Sequence, residues 1–123
     1  MIEKLVDFPP NTLAFSAKGT VTANDYETVI IPAVEAAFSQ TNKVRLLYHL
    51  GPEFTEFEAA AMWDDAKIGL KHISGWERIA VVSDIEWIRL GVNVFRPVIP
   101  GHVRVFHNSE FSEATRWITE SGT

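Results

Sequence analysis

Five stretches of the chain carry the apolar pattern of β-strands, at residues 2–8, 12–18, 44–50, 79–82 and 103–106. The first two are separated by Pro9-Pro10-Asn11, and this turn chemistry predicts a β-hairpin. The stretches at 44–50 and 79–82 are nearly unbroken apolar runs, which are typical of interior strands covered on both faces.

Apolar residues at helical spacing fill the remaining stretches, at residues 22–40, 55–71, 83–96 and 109–120. Thr22 is expected to cap the first helix, with Asp25 near its positive end, and Pro32 is expected to kink that helix. The run Thr55-Glu56-Phe57-Glu58 resembles a capping box that opens the second helix. Ser83-Asp84 is expected to cap the third helix.

The resulting order of elements is β-β-α-β-α-β-α-β-α. Alternation of this kind indicates helices packed on both faces of a mostly parallel sheet. We therefore predict a single α/β domain over residues 1–123, with a five-stranded, mostly parallel sheet. We expect the following side chains to be largely buried in its core: Val44, Leu46, Val81 and Phe106.

The amino-acid composition narrows the possible classes of protein. Hydrophobic residues make up 46% of the 123 and charged residues 22%, the usual balance for a packed globular domain. The chain has no cysteine, which excludes disulfides, thiolate catalysis and cysteine-ligated metals. The net charge of −5 argues against nucleic acid as a partner. Because no apolar run approaches about 18 residues, we expect a soluble, cytoplasmic chain, with peripheral attachment at the inner membrane as a further option.

Motifs that would indicate catalysis do not occur in the sequence. Four histidines are present, His49, His72, His102 and His107. None combines with another histidine or a carboxylate in the manner of a helical metal site, so no metal is predicted. Nucleophile elbows, Walker loops and dinucleotide fingerprints do not occur, so no catalytic residue and no cofactor is predicted. Asp64 and Asp65 point about 100° apart on a helix and are expected to lie on a solvated face.

The third helix carries two apolar stripes instead of one. The first stripe contains Ile85, Ile88, Val92 and Phe95, and the second contains Trp87, Leu90 and Val94. One stripe is enough to pack a surface helix on a sheet, so the second must meet something else. The alternatives are another part of the chain (residues 97–100 in particular), a second subunit, a lipid-like ligand or a membrane surface.

We therefore predict a ligand- or membrane-binding site on this helix. Its residues are Trp87, Ile88, Leu90, Val94 and Phe95, with Arg89 and Arg96 meeting anionic headgroups. Gly91 weakens the helix and Pro97 ends it, so the helix could tilt and uncover apolar space beneath it. The expected partners are an apolar small molecule or a membrane surface. We also expect a homodimer, formed by the second stripe together with Trp117.

Three groups of residues, taken in order, carry a resemblance to a known family. They are Asp25-Tyr26 with Pro32, then Ile79-Ala80-Val81-Val82 with Asp84 and Trp87, and finally Val103-Arg104-Val105-Phe106 with Glu113-Ala114 and Trp117. Together they resemble the SpoIIAA-like proteins, a bacterial branch of the STAS fold. The resemblance implies an antiparallel first strand at one edge and a winding that never reverses. CRAL-TRIO lipid-binding domains share that winding and hold an apolar ligand beneath a movable helix.

The anti-sigma factor antagonists that this family resembles carry a phosphorylated serine where the helix after the third strand begins. Here only Thr55 offers a hydroxyl in residues 51–58, and three glutamates already crowd it. We expect Thr55 to be a structural cap, with phosphorylation of Thr55 as the alternative. The main hypothesis is a non-enzymatic binding module that acts through the third helix. The alternatives are a phospho-regulated antagonist of protein–protein interactions and a hydrolase without a recognisable motif.

Overall fold

A five-stranded sheet forms the centre of the protein. The computed structural model describes residues 1–121, so the last two residues of the predicted domain lie outside it. The strands are β1 (Ile2–Lys4), β2 (Thr12–Val21), β3 (Val44–Phe57), β4 (Trp76–Ser83) and β5 (His102–Phe106). They lie side by side in chain order, with β1 antiparallel to β2 at one edge and all other pairs parallel. The predicted hairpin and mostly parallel α/β sheet are confirmed.

Both faces of the sheet are apolar because both are covered. Phe15, Tyr48 and Val81 are neighbours in the register and belong to the larger core cluster. The opposite face carries a smaller cluster that includes Leu47 and Phe106. Three of the four residues expected in the core, Val44, Val81 and Phe106, are buried, and Leu46 is partly buried.

The helical segments divide unequally between the two faces. They are α1 (Ala23–Asp25), a π-helical turn (Tyr26–Ile30), α2 (Ile31–Gln40), α3 (Ala59–Lys71), α4 (Glu86–Phe95) and α5 (Phe111–Thr119). Residues from every segment except α1 and α5 pack in the larger cluster, whereas α5 contributes Ala114 and Ile118 to the smaller one. The prediction of helices on both faces is therefore confirmed, with a single helix on one face.

The first helix begins at its predicted cap and contains a π-helical turn before Pro32. The Thr22 hydroxyl accepts the Asp25 N–H at 3.2 Å, and the Asp25 carboxylate accepts the Thr22 N–H at 2.9 Å, which confirms the predicted cap. Pro32 lacks an N–H group, and its ring interferes with the preceding turn. The chain accommodates it with the wide π turn directly before α2, where the Ile31 N–H bonds the Tyr26 carbonyl.

β3 continues to Phe57, well past its predicted end at residue 50. The extension is possible because β2 is also long, so that Gly19 pairs with Phe54 and Val21 with Phe57. β4 pairs with β3 only as far as Leu50, which leaves the segment containing Pro52 on an edge where a missing donor is tolerated. Helix α3 then begins at Ala59 after Glu58, so the predicted helix start at Thr55 and its capping role are wrong.

Candidate functional site

The predicted third helix is α4, and one of its faces anchors it to the sheet. The chain enters the helix at Ile85, whose N–H donates to the Ser83 hydroxyl at 3.1 Å. Ile88 is only 6% exposed, and Ile85 and Val92 pack against the same core cluster. Ile88 was predicted both on the sheet-facing stripe and among the ligand-binding residues, and the structure places it in the core.

The second stripe of α4 faces outward. Trp87 is 53% exposed, Leu90 59% and Val94 72%. Phe95, the last residue of α4, and Val98, in the turn that follows, extend the apolar surface at 65% and 56% exposure. We call these five residues the α4 strip. The alternative that residues 97–100 cover the stripe within the same chain is wrong, because more than half of each strip residue is accessible.

Phe95 departs from the predicted pattern. It was expected on the sheet-facing stripe, but it is exposed. It lies at the margin of that stripe on a helical wheel. It is also the last residue of α4, where the chain passes into the 3-10 turn Arg96–Val98. Phe95 therefore belongs to the outer surface together with Val94.

The two predicted headgroup arginines have different environments. Arg89 donates to the Ser83 carbonyl at 2.9 Å and is partly buried, so it holds α4 to the end of β4. Arg96 is exposed and donates to the side chain of Asn93, three residues earlier, at 2.7 Å. Arg96 is therefore presented to solvent, whereas part of the Arg89 donor capacity is already used.

An aromatic row connects the strip to the core. The Trp87 ring meets Phe57 edge-on at 6.3 Å, and Phe57 meets Tyr48 edge-on at the same distance. Such edge-to-face pairs stabilise a defined ring geometry. Phe57 is therefore a site residue that the helical pattern of α4 could not reveal, since it lies on the unexpected extension of β3.

A buried polar network lies behind this row. The Tyr26 hydroxyl donates to the Asp65 Oδ1 atom at 2.8 Å, so the Tyr48 hydroxyl, 3.0 Å away, donates to Tyr26. Burial raises the pKa of both tyrosines and keeps them protonated. Asp65 is exposed as a residue, but removal of its carboxylate from bulk water raises its pKa as well. Asp64 is 8% exposed, so the expected solvated pair is wrong for this residue.

Two histidine–carboxylate pairs join distant segments. His72 lies 2.6 Å from Glu35 and stacks on Phe38, and its hydrogen bond holds the pKa of Glu35 below the usual value. His107 lies 3.1 Å from Asp84, whose pKa is lowered chiefly by the backbone N–H of Asn108. Within residues 1–121, no three histidine, aspartate or glutamate side chains are grouped to hold a metal ion.

Two buried arginines hold the end of α5. Arg45 and Arg78 are register partners on β3 and β4 and are 7% and 5% exposed. Arg45 donates to the Ile118 and Glu120 carbonyls at 3.1 and 2.6 Å, and Arg78 donates to the Trp117 carbonyl at 2.7 Å. Cations are favourable at a helix C-terminus, where carbonyls lack helical partners. A lone arginine within each buried strand was the only sequence signal for this arrangement.

Comparison with known proteins identifies the family. A model of the SpoIIAA-like family matches residues 12–119. The chain belongs to the SpoIIAA-like family. Among solved structures, it is similar to an uncharacterized protein of the DUF3478 family with a SpoIIAA-like fold from Shewanella loihica PV-4. That structure has 28% sequence identity and a TM-score of 0.77, and the match covers 95% of this chain and 93% of the other. No curated protein matches the sequence.

The structure places Thr55 away from the start of a helix. Thr55 is an exposed residue of β3, and α3 begins only at Ala59. A phosphate on Thr55 would thus gain nothing from the start of a helix, and Glu53 and Glu56 would repel it. Among the described residues, no helix combines the length and the apolar character needed to cross a membrane.

Proposed function

We propose that this SpoIIAA-like domain is a non-enzymatic module that attaches to an anionic membrane surface through the α4 strip. The observation that carries the proposal is the exposure of all five strip residues, from 53% to 72%, on a helix whose opposite face is fixed in the core. Helices that lie in a membrane interface combine Trp, Phe and Leu on one side with cations beside them.

The direction of the strip favours a surface over an enclosed apolar molecule. Its side chains point away from the sheet instead of lining a cavity. Two clefts, of about 220 and 420 Å³, lie at the opposite side of the fold from the start of α4, and charged side chains line both. A flat membrane interface fits an outward apolar strip better than a small apolar ligand does.

Charge at the C-terminal end of the strip is opposite in sign to that of the whole chain. The net charge is −5, yet Arg78, Arg96 and Arg104 line the 420 Å³ cleft at the C-terminal end of α4. Cations within a Debye length of an anionic leaflet each favour attachment by about 1 kcal/mol. The strip therefore ends beside the cations that an anionic surface would attract.

The polar side chains also support a non-enzymatic role. Ser83 is fully buried, and its hydroxyl accepts the N–H of Ile85. His107 and His72 are paired with carboxylates, but in the described part of the chain neither is hydrogen-bonded to a hydroxyl that it could activate. Acyl-transfer chemistry needs a nucleophile within reach of its base.

Sedimentation with vesicles tests the proposal. Wild-type protein should sediment with vesicles of phosphatidylglycerol and phosphatidylcholine, and Leu90→Asp with Val94→Asp should abolish this while leaving the far-ultraviolet circular dichroism unchanged. A matched control is Met62→Asp with Leu70→Asp on α3, because these residues are 50% and 63% exposed outside the strip. The control should bind as wild type does.

A second copy of the chain is the other occupant to exclude. The predicted homodimer is tested by analytical ultracentrifugation at micromolar concentration. A dimer that dissociates in the Leu90→Asp, Val94→Asp variant, combined with no vesicle binding by the wild type, would overturn membrane attachment and assign the strip to dimerisation. Vesicle binding that survives in this variant, or is lost equally in the α3 control, would also overturn the proposal.

A further inference from the structure

The larger cleft is built from cations around one aromatic ring. It has a volume of about 420 Å³ and is lined by Arg78, Arg96, Gly101, His102, Val103, Arg104, Trp117 and Glu120. It opens where α4 and α5 end and where β4 and β5 begin. Three arginines against one glutamate give it a net positive charge within an acidic chain.

Arg78 forms a buried part of the wall of the cleft. Its side chain is only 6% exposed, and it donates to the Trp117 carbonyl and to the Glu120 carboxylate. The Arg78 guanidinium also lies 5.1 Å from the centre of the Trp117 ring. A buried guanidinium held by a carbonyl and a ring loses little further freedom when it binds an anion.

Arg104 contacts the same Trp117 ring and offers unused donors. Its guanidinium lies 5.4 Å from the Trp117 ring centre and 4.6 Å from that of Phe106. These are cation–π contacts, which orient the side chain without using its N–H groups. Within residues 1–121, Arg104 makes no hydrogen bond or ion pair. The exposed side chains of Arg96 and His102 add further donors.

Glu120 occupies this site with a carboxylate. Its Oε1 atom lies 3.0 Å from Arg78, and its side chain is 51% exposed, so it can rotate into solvent. The position of this carboxylate marks where an anionic oxygen binds beside Arg78. The same carboxylate competes with any incoming anion.

We propose that this cleft binds a phosphate group. Guanidinium groups bind phosphate oxygens through paired hydrogen bonds, and planar arginines held against rings are suited to that geometry. The cleft has room for the phosphate and the organic group that carries it. The phosphate belongs either to a lipid headgroup or to a free phosphate ester. The inference does not depend on the α4 strip, because no strip residue lines the cleft. The cleft arginines also support the membrane proposal, so the test below separates the two.

Tryptophan indole N–H signals provide separate reporters for the test. Trp117 lies in the cleft, Trp87 in the strip and Trp63 on the exposed side of α3. In ¹H–¹⁵N spectra, titration with inorganic phosphate or glycerol 3-phosphate should shift the Trp117 indole signal in a saturable way and leave the Trp63 signal in place. Raising the salt concentration should weaken the binding.

Three variants test which side chains contribute to phosphate binding. Arg104→Ala should weaken binding about tenfold, since a charge-assisted hydrogen bond is lost. Arg116→Ala, at an exposed arginine of α5 outside the cleft, should bind as wild type does and controls for the change in net charge. Glu120→Gln should tighten binding about threefold or more, because the competing charge is removed.

Vesicles identify the source of the phosphate. If Arg104→Ala weakens only vesicle sedimentation, the ligand is a lipid headgroup, and if it weakens only the glycerol 3-phosphate titration, the ligand is a free ester. The Leu90→Asp, Val94→Asp variant should still bind glycerol 3-phosphate in the second case, which separates this site from the membrane proposal. Either of two results would overturn the inference. One is the absence of a saturable shift of the Trp117 signal, together with unchanged vesicle binding by Arg104→Ala. The other is an equal loss of binding in Arg104→Ala and Arg116→Ala.

Discussion

The Tyr26 hydroxyl makes two hydrogen bonds in the core. Tyr26→Phe deletes only the hydroxyl oxygen but removes both of these hydrogen bonds. The lost partners are the Asp65 carboxylate at 2.8 Å and the Tyr48 hydroxyl at 3.0 Å. The bond to Asp65 is taken at the low end for a charged acceptor, about 1.5 kcal/mol. The Tyr48 hydroxyl is left without a partner at 8% exposure, which costs about 1 kcal/mol more.

We therefore expect Tyr26→Phe to lower the free energy of unfolding by about 2–3 kcal/mol. Tyr48→Phe leaves the bond between Tyr26 and Asp65 intact and should cost only about 1 kcal/mol. Urea titrations followed by tryptophan fluorescence measure both changes, and an unchanged m-value is required for the comparison. A loss in Tyr48→Phe as large as that in Tyr26→Phe would refute the assignment of Tyr26 as the central member of the network.

Two further predictions concern the neighbouring helices. The pKa of Asp65 is raised in the folded protein above the value of 3.8 expected in the unfolded chain. The folded protein therefore holds the Asp65 proton more tightly than the unfolded chain does. As a result, the contribution of Asp65 to stability falls as the pH rises above 3.8. Asp65→Asn should therefore gain stability relative to wild type in urea titrations as the pH is raised above 3.8. A difference independent of pH would mean that the carboxylate is fully hydrated. Gly91→Ala should stabilise α4 by about 1 kcal/mol, because an added Cβ meets no atom within 4 Å and glycine weakens a helix. If α4 must tilt to attach to membranes, Gly91→Ala should also weaken vesicle binding, whereas the equally open Gly69→Ala on α3 should change stability alone.

The elements that the sequence predicts correctly are those whose signal is local. The cap formed by Thr22 and Asp25 lies within one turn, and the sheet-facing side of α4 follows the 3.6-residue period from Ile85 to Val92. The same period places Trp87, Leu90 and Val94 away from the sheet. The exposure of this strip is therefore contained in the sequence, but the identity of its partner is not.

The features that sequence analysis misses depend on distant partners. Arg45 bonds the carbonyl of Ile118, 73 residues away, and Tyr26 bonds Asp65, 39 residues away. Gly51-Pro52 has the chemistry of a turn, but the long β2 strand beside it supplies pairing that keeps β3 extended to Phe57. Tertiary pairing overrides a local preference in that case. A capping box next to such a strand is consequently a poor indicator of a helix start.

The order of the strands also explains why the proposed phosphate cleft lies at the beginnings of the strands. Open α/β sheets bind ligands at the carboxyl ends of strands, where the strand order reverses and neighbouring connections diverge. This sheet runs from β1 to β5 without reversal, so it has no such crevice. β5 is an edge strand with α4 leading into it on one face and α5 following it on the other. Both helices end near the start of β5, and among the described residues no sixth strand covers the space between their ends. Arg78, which holds the end of α5, therefore also lines an opening at the C-terminal end of α4. The proposed phosphate site consequently lies next to the apolar strip, on one side of the domain.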